Sequence, residues 1–123
     1  MECKVKISSF GSDWSSEISA EGKLERGECG NFKVFYNIDG DSCVLSLEGG
    51  KVFQQRSGKQ NLKLEFAKDK ATTCQIGEGD LSGYFDIFTT DIKIVEGKGG
   101  IKLTLCYING NDNITLNFIV IVH

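Results

Sequence analysis

The chain contains no proline, one histidine, one tryptophan and only two arginines, Arg26 and Arg56. A lack of proline suits a fully paired β-sheet, which has few places for a residue without a backbone N–H. The histidine is His123, the last residue, where fraying is expected. A hydrolytic relay of nucleophile, histidine and acid therefore lacks a well-held base. With a formal net charge of −3 and no basic stripe carrying interleaved aromatics, the chain has no electrostatic footprint for general nucleic-acid binding. Its longest purely apolar run, Phe118 to Val122, is far short of a transmembrane helix. The first residues, Met1-Glu2-Cys3-Lys4-Val5-Lys6, alternate at once and form no apolar core of signal-peptide length.

Cysteine spacing excludes two further classes. The five cysteines, at 3, 29, 43, 74 and 106, are odd in number and include no C-x-x-C pair. A complete secreted disulfide framework and a zinc ribbon are both ruled out. Cys3 shares the phase of Val5 and Ile7 and is expected to pack as a small apolar residue. Cys106 lies opposite the phase of Leu103, Leu105 and Tyr107 and is expected to be partly exposed. The expected compartment is the cytoplasm, with no cofactor, no metal, and neither nucleic acid nor membrane as partner.

What the sequence has in quantity is alternation. At 40% hydrophobic and 25% charged over 123 residues, it reads as one domain, 1–123, able to bury roughly two-thirds of its unfolded surface. Cys3, Val5 and Ile7 alternate with Lys4, Lys6 and Ser8. Ile18, Ala20 and Leu24 share the even phase of Trp14, and Phe32, Val34, Tyr36 and Ile38 mark another strand ending at the hairpin signal Asp39-Gly40. Gly49-Gly50, Ser57-Gly58, Lys68-Asp69-Lys70, Gly77 to Asp80, Gly97 to Gly100 and Asn109 to Asp112 punctuate the rest. From Tyr84 to Val95 the apolar phase passes from odd (Phe85, Ile87) to even (Ile92, Ile94). Such a one-residue slip predicts a bulge or sharp bend near Thr89 to Asp91.

The pattern predicts an all-β fold of about eight to ten antiparallel strands joined mostly by hairpins, as an up-and-down β-barrel or a two-sheet β-sandwich. The final run favours the barrel. Phe118 to Val122 is apolar on both phases and would be an aggregation hazard as an exposed edge, so it needs the first strand as a partner.

Several segments also carry a family resemblance. They are Gln55-Arg56-Ser57-Gly58, Phe66, Gly83-Tyr84-Phe85-Asp86-Ile87, Thr89-Thr90-Asp91-Ile92 and Ile101 to Tyr107. In order and spacing they resemble the YwiB-like family of small bacterial proteins, over the last two-thirds of the chain. The resemblance implies a calycin-like barrel, of the group that includes lipocalins, and no activity, since that family is uncharacterised. Where the family has a tyrosine and a threonine ahead of the glycine matching Gly83, this chain has Glu78 and Asp80.

Candidate chemistry is sparse, and no enzyme is expected. Asn37, Asp39, Asp41 and Glu48 fall on positions of a calcium-loop template, but Ser42 stands where that loop needs glycine and the flanks are strands. Arg56 is the more informative residue. Facing the lumen, it must pair with an acid or a ligand anion; facing out, it is a surface arginine; at a turn, it can cap backbone carbonyls. Two function classes follow. In the first, a small apolar or mixed ligand enters a lumen lined by some of Trp14, Tyr36, Phe85, Phe88 and Tyr107, with Arg56 or Gln54 as polar anchor. In the second, the eight phenylalanines fill the interior and an interaction or accessory protein works through its outer face. Outward Phe35 and Ile108 leave both a monomer and a homodimer open.

Overall fold

Two-residue periodicity needs a surface that is wet on one side and dry on the other, and ten consecutive strands supply it by curling the sheet onto itself. The computed structural model spans all 123 residues. Its strands are β1 (Glu2–Phe10), β2 (Ser15–Arg26), β3 (Phe32–Ile38), β4 (Asp41–Glu48), β5 (Lys51–Ser57), β6 (Gln60–Phe66), β7 (Lys70–Glu78), β8 (Leu81–Gly97), β9 (Gly100–Asn109) and β10 (Asp112–Val122). Each pairs antiparallel with its chain neighbours, and β10 pairs with β1, closing the barrel. The closed barrel excludes the sandwich. Only a 3-10 turn, Glu28–Gly30, interrupts the run of strands.

Turn chemistry sets the register. Asp39 and Gly40 both adopt positive φ, 51° and 85°, the mirror-image turn whose twist matches a hairpin. They place Ile38 opposite Asp41. Closure runs from Cys3 opposite Val122 to Phe10 opposite Thr115. It buries Phe118 and Val120 and leaves Ile119 between Lys6 and Lys102, whose aliphatic stems can cover it while their ammonium groups stay wet. Cys3 is fully buried and Cys106 half-buried.

The expected slip is a register shift between Thr89 and Asp91. Before it, Phe85, Ile87 and Thr89 point inward; after it, Ile92 takes up the core side. Thr89 is completely buried. Its carbonyl accepts the Asp69 N–H at 2.7 Å, but its hydroxyl finds no protein partner.

One end of the barrel carries the termini and the β2–β3, β4–β5, β6–β7 and β8–β9 connections. The other, the hairpin end, carries the remaining five turns. Phe32, Phe66 and Phe118 are all buried and fill the interior from the termini end through the middle. At the hairpin end two strands outrun their neighbours. β2 meets β3 only over Gly22–Arg26, and β8 meets β9 only from Phe88 onward.

Replacing Phe118 by alanine should destabilise the fold by about 3–5 kcal/mol in chemical denaturation, the range for a buried aromatic. Thr89→Val should have the opposite sign, stabilising by about 1 kcal/mol, because it removes an unpaired buried hydroxyl at nearly constant shape. A destabilised Thr89→Val protein would show that the hydroxyl is satisfied in solution.

Candidate functional site

Counting outward from the Gly49-Gly50 turn, Arg56 on β5 falls opposite Cys43 on β4, and Gln54 falls opposite Leu45. Cys43 and Leu45 are core residues, so Arg56 and Gln54 face the interior. This settles the orientation the sequence left open. Arg56 neither lies outside nor caps turn carbonyls; its Nε donates to Asp41 Oδ2 at 2.9 Å. The pair is largely withdrawn from water, with side-chain exposures of 19% for Arg56 and 3% for Asp41.

Asp41 is held from three sides. The Lys59 N–H donates to Oδ1 at 2.8 Å and the Gln60 N–H to Oδ2 at 3.2 Å. Those amides belong to the β5–β6 turn, so one carboxylate ties the β3–β4 hairpin to its neighbour. The turn can approach because Gly58 sits at φ 150°, and a Cβ there would run into the Asp41 carboxylate. The Lys59 amide, then Arg56 and the Gln60 amide, hold the Asp41 carboxyl below its ordinary pKa. All its contacts are donors from the protein itself, and the Arg56 guanidinium is the cation beside it.

Deeper along the same wall, Gln54 Nε2 donates to the Tyr36 hydroxyl at 3.2 Å, and burial pushes the Tyr36 phenol well above its usual pKa. Tyr107, also raised by burial, faces inward and meets Phe66 edge-on, with ring centroids 5.2 Å apart. Phe85 packs against the core from β8. Five of the seven sequence candidates thus share the interior: Tyr36, Gln54, Arg56, Phe85 and Tyr107.

The other two do not. Trp14 lies in the β1–β2 loop, just before β2 begins, and its indole Nε1 donates outward to Asp112 Oδ2 at 2.8 Å. Phe88 is on the even phase of β8, ahead of the bulge, and stands on the outer face opposite Ala71 and Ile108. Both are exposed, at 40% each, and are removed from the lumen set. Of the two residues expected to be outward, Phe35 is exposed and Ile108 only half-buried.

At the hairpin end, above the phenylalanines, a cavity of about 380 Å³ opens between β5 and β8. Its walls include Arg56, Leu62, Ile76, Leu81, Ser82 and Gly83, with Glu78 at the rim. A Cβ built at Gly83 would meet nothing within 4 Å, so that strand position leaves open space beside the cavity. A cleft of similar volume, about 390 Å³, lies at the termini end, but Glu25, Arg26, Glu28, Lys33 and Glu48 make it a charged, solvated surface. Asp41 occupies Nε of Arg56, leaving Nη1 and Nη2 able to donate toward the mouth.

Sequence reasoning missed Asp41 as the partner of Arg56, and missed Leu62, Ile76, Leu81 and Gly83 as the mouth. A signal for the pair was present. Once Gly49-Gly50 is taken as a two-residue turn, Asp41 falls two positions from Cys43 and therefore on the same face as Arg56. The mouth depends on where each hairpin ends, which alternation does not encode.

No family model matches the chain, and no curated protein matches it. Among solved structures it is similar to the ywiB protein from Bacillus subtilis, with a TM-score of 0.87 at 12% identity, covering 99% of this chain and 92% of that one. The likeness shows the fold. It extends the resemblance read from short motifs in the last two-thirds to nearly the whole chain.

Asp41→Asn should destabilise the protein at neutral pH. A folded-state pKa below the unfolded one contributes stability that is complete above the ordinary carboxylate range and lost as pH falls through the folded value. The stability gap between wild type and Asp41→Asn should therefore be constant above about pH 5 and close progressively below about pH 4. A gap that does not change down to the acid transition would mean Asp41 is not held as its geometry indicates.

Proposed function

We propose that this protein is a binding barrel that takes a small molecule at the hairpin-end mouth rather than deep in the lumen. Its ligand has an apolar body and a hydrogen-bond-accepting head. The observation that carries this reading is a guanidinium fixed through one nitrogen by a buried carboxylate, at the wall of a cavity of about 380 Å³. Cavities above roughly 300 Å³ with apolar walls and a few placed polar groups are the usual form of small-molecule sites. Leu62, Ile76 and Leu81 offer the apolar wall, Arg56 the donors. Asp41 already neutralises Arg56, and Glu78 adds negative charge at the rim. A carbonyl or singly charged carboxylate head therefore suits the site better than a multiply charged phosphate.

The reading is of a binder rather than a catalyst. The one histidine pairs with Glu21 through Nε2 at 3.0 Å, at the end opposite the mouth. Five free thiols, three of them buried, support a reducing compartment such as the cytoplasm.

A second reading, an accessory protein acting through its outer face, draws support from the filled interior below the mouth and from exposed Tyr84 and Val95.

Native mass spectrometry of the purified protein is the direct test, with a co-purified small molecule as the expected result. Gly83→Val should displace that molecule by filling the mouth while leaving the fold intact. Arg56→Ala should weaken its rebinding by about 10- to 100-fold, the worth of a lost charged hydrogen bond. A ligand retained at full affinity by both variants would remove the mouth as its site.

A further inference from the structure

A closed barrel abolishes sheet edges only where every strand is paired on both sides. Here the closure is incomplete at the hairpin end. β7 pairs with β8 all the way from Lys70 opposite Thr89 to Glu78 opposite Leu81. On its other side β8 gains β9 only at Phe88, so Leu81–Ile87 is a free edge seven residues long. The turn between β7 and β8 has two residues, Gly79 and Asp80, which makes Glu78 and Leu81 the closing hydrogen-bonded pair. Alternation then aims the backbone N–H and C=O groups of Ser82, Tyr84 and Asp86 away from β7, toward solvent.

The barrel's other long free edge, Ser15–Ala20 of β2, is built differently. It is rich in serine and carries Glu17, with Glu21 following, the charged and polar composition that protects an edge from pairing. The β8 edge has no such protection. It carries no lysine, proline or bulge, and its one charge, Asp86, accepts a hydrogen bond from Thr73 Oγ1 at 2.8 Å. Around it lie three strongly exposed apolar residues, Leu81 at 78%, Tyr84 at 72% and Ile76 at 52%.

We propose that this edge is a strand-addition site for a second copy of the same chain, the two β8 strands pairing antiparallel about a twofold axis at Tyr84. The sequence is complementary to itself in that register. Tyr84 faces Tyr84, and Ser82 faces Asp86 of the second copy, so the outward backbone groups meet in hydrogen-bonded pairs. Gly83 faces Phe85, and Leu81 faces Ile87. No like charges oppose one another, and the seven-residue edge is consumed from end to end. The β3–β8 flanks of the two copies then continue as one sheet through the dimer, the geometry of β-strand addition.

The register makes the proposal testable by charge. Sedimentation velocity on the full chain, over a concentration series reaching about 100 μM, should show a reversible monomer–dimer equilibrium. Ser82→Asp places a like charge across from Asp86 twice per dimer and should weaken association by about tenfold. Ser82→Lys should tighten it through the same two pairs. Tyr84→Pro removes an outward N–H at the centre and should leave monomer with an unchanged far-ultraviolet circular dichroism spectrum; should that variant fail to fold, the Ser82 pair decides. A wild-type protein that is monomeric throughout, or a dimer indifferent to both Ser82 substitutions, overturns the assignment.

Discussion

The structure depends on the pairing of β1 with β10. Eight opposed residue pairs join the first strand to the last, and without them both would be edges. β10 would be the worse of the two, since its last five residues are apolar on both faces. Paired, the same five residues divide cleanly. Phe118 and Val120 complete the core, while Ile119 and Ile121 lie on the outside, in register with Lys6 and Lys4. Closure also sets which side of every other strand is inner, because the alternation of one strand is locked to that of its neighbour.

Closing ten strands by short hairpins has a geometric consequence at the rim. Strands must tilt and stagger to curl, while each tight turn holds its own two strands level. The stagger therefore collects at the seams between hairpins, and two of these seams take most of it: β2 against β3 and β8 against β9. The mouth cavity and the unprotected β8 edge both belong to the hairpin that projects beyond the second seam. The Asp41–Arg56 pair acts on the β4–β5 seam, where two backbone amides and a guanidinium converge on one carboxylate and keep the β3–β4 and β5–β6 turns together.

Most of the fold was legible because a half-wet strand must alternate. The strand count, the turn residues, the phase change near Thr90 and the need of Phe118–Val122 for a partner all follow from that one rule. The site was legible only in part. Arg56, Gln54 and Tyr36 could be named because polar groups on a core phase need partners, but phase alone could not say whether Arg56 was in or out. Trp14 and Phe88 were misplaced for the same physical reason. Aromatic character argues for burial, yet an indole drawn to Asp112 and a ring on the outer phase ahead of a bulge are decided by neighbours from other strands. Leu62, Ile76 and Gly83 read as ordinary strand residues; the stagger between hairpins makes them a mouth.

The pairing of first strand with last also bears on how the chain matures as it leaves the ribosome. β1 through β9 can zip by successive hairpins, each contact local and each strand meeting its neighbour soon after synthesis. β1 nevertheless keeps one side vacant for the whole of that time, and the interior stays unsealed beside it. Only when residues 112–122 arrive does the longest-range contact form, and loop-closure entropy makes such a contact the slowest of all. The charged residues on the outer face of β1, Lys4 and Lys6, then serve a second purpose: they keep the waiting strand soluble until its partner has been made.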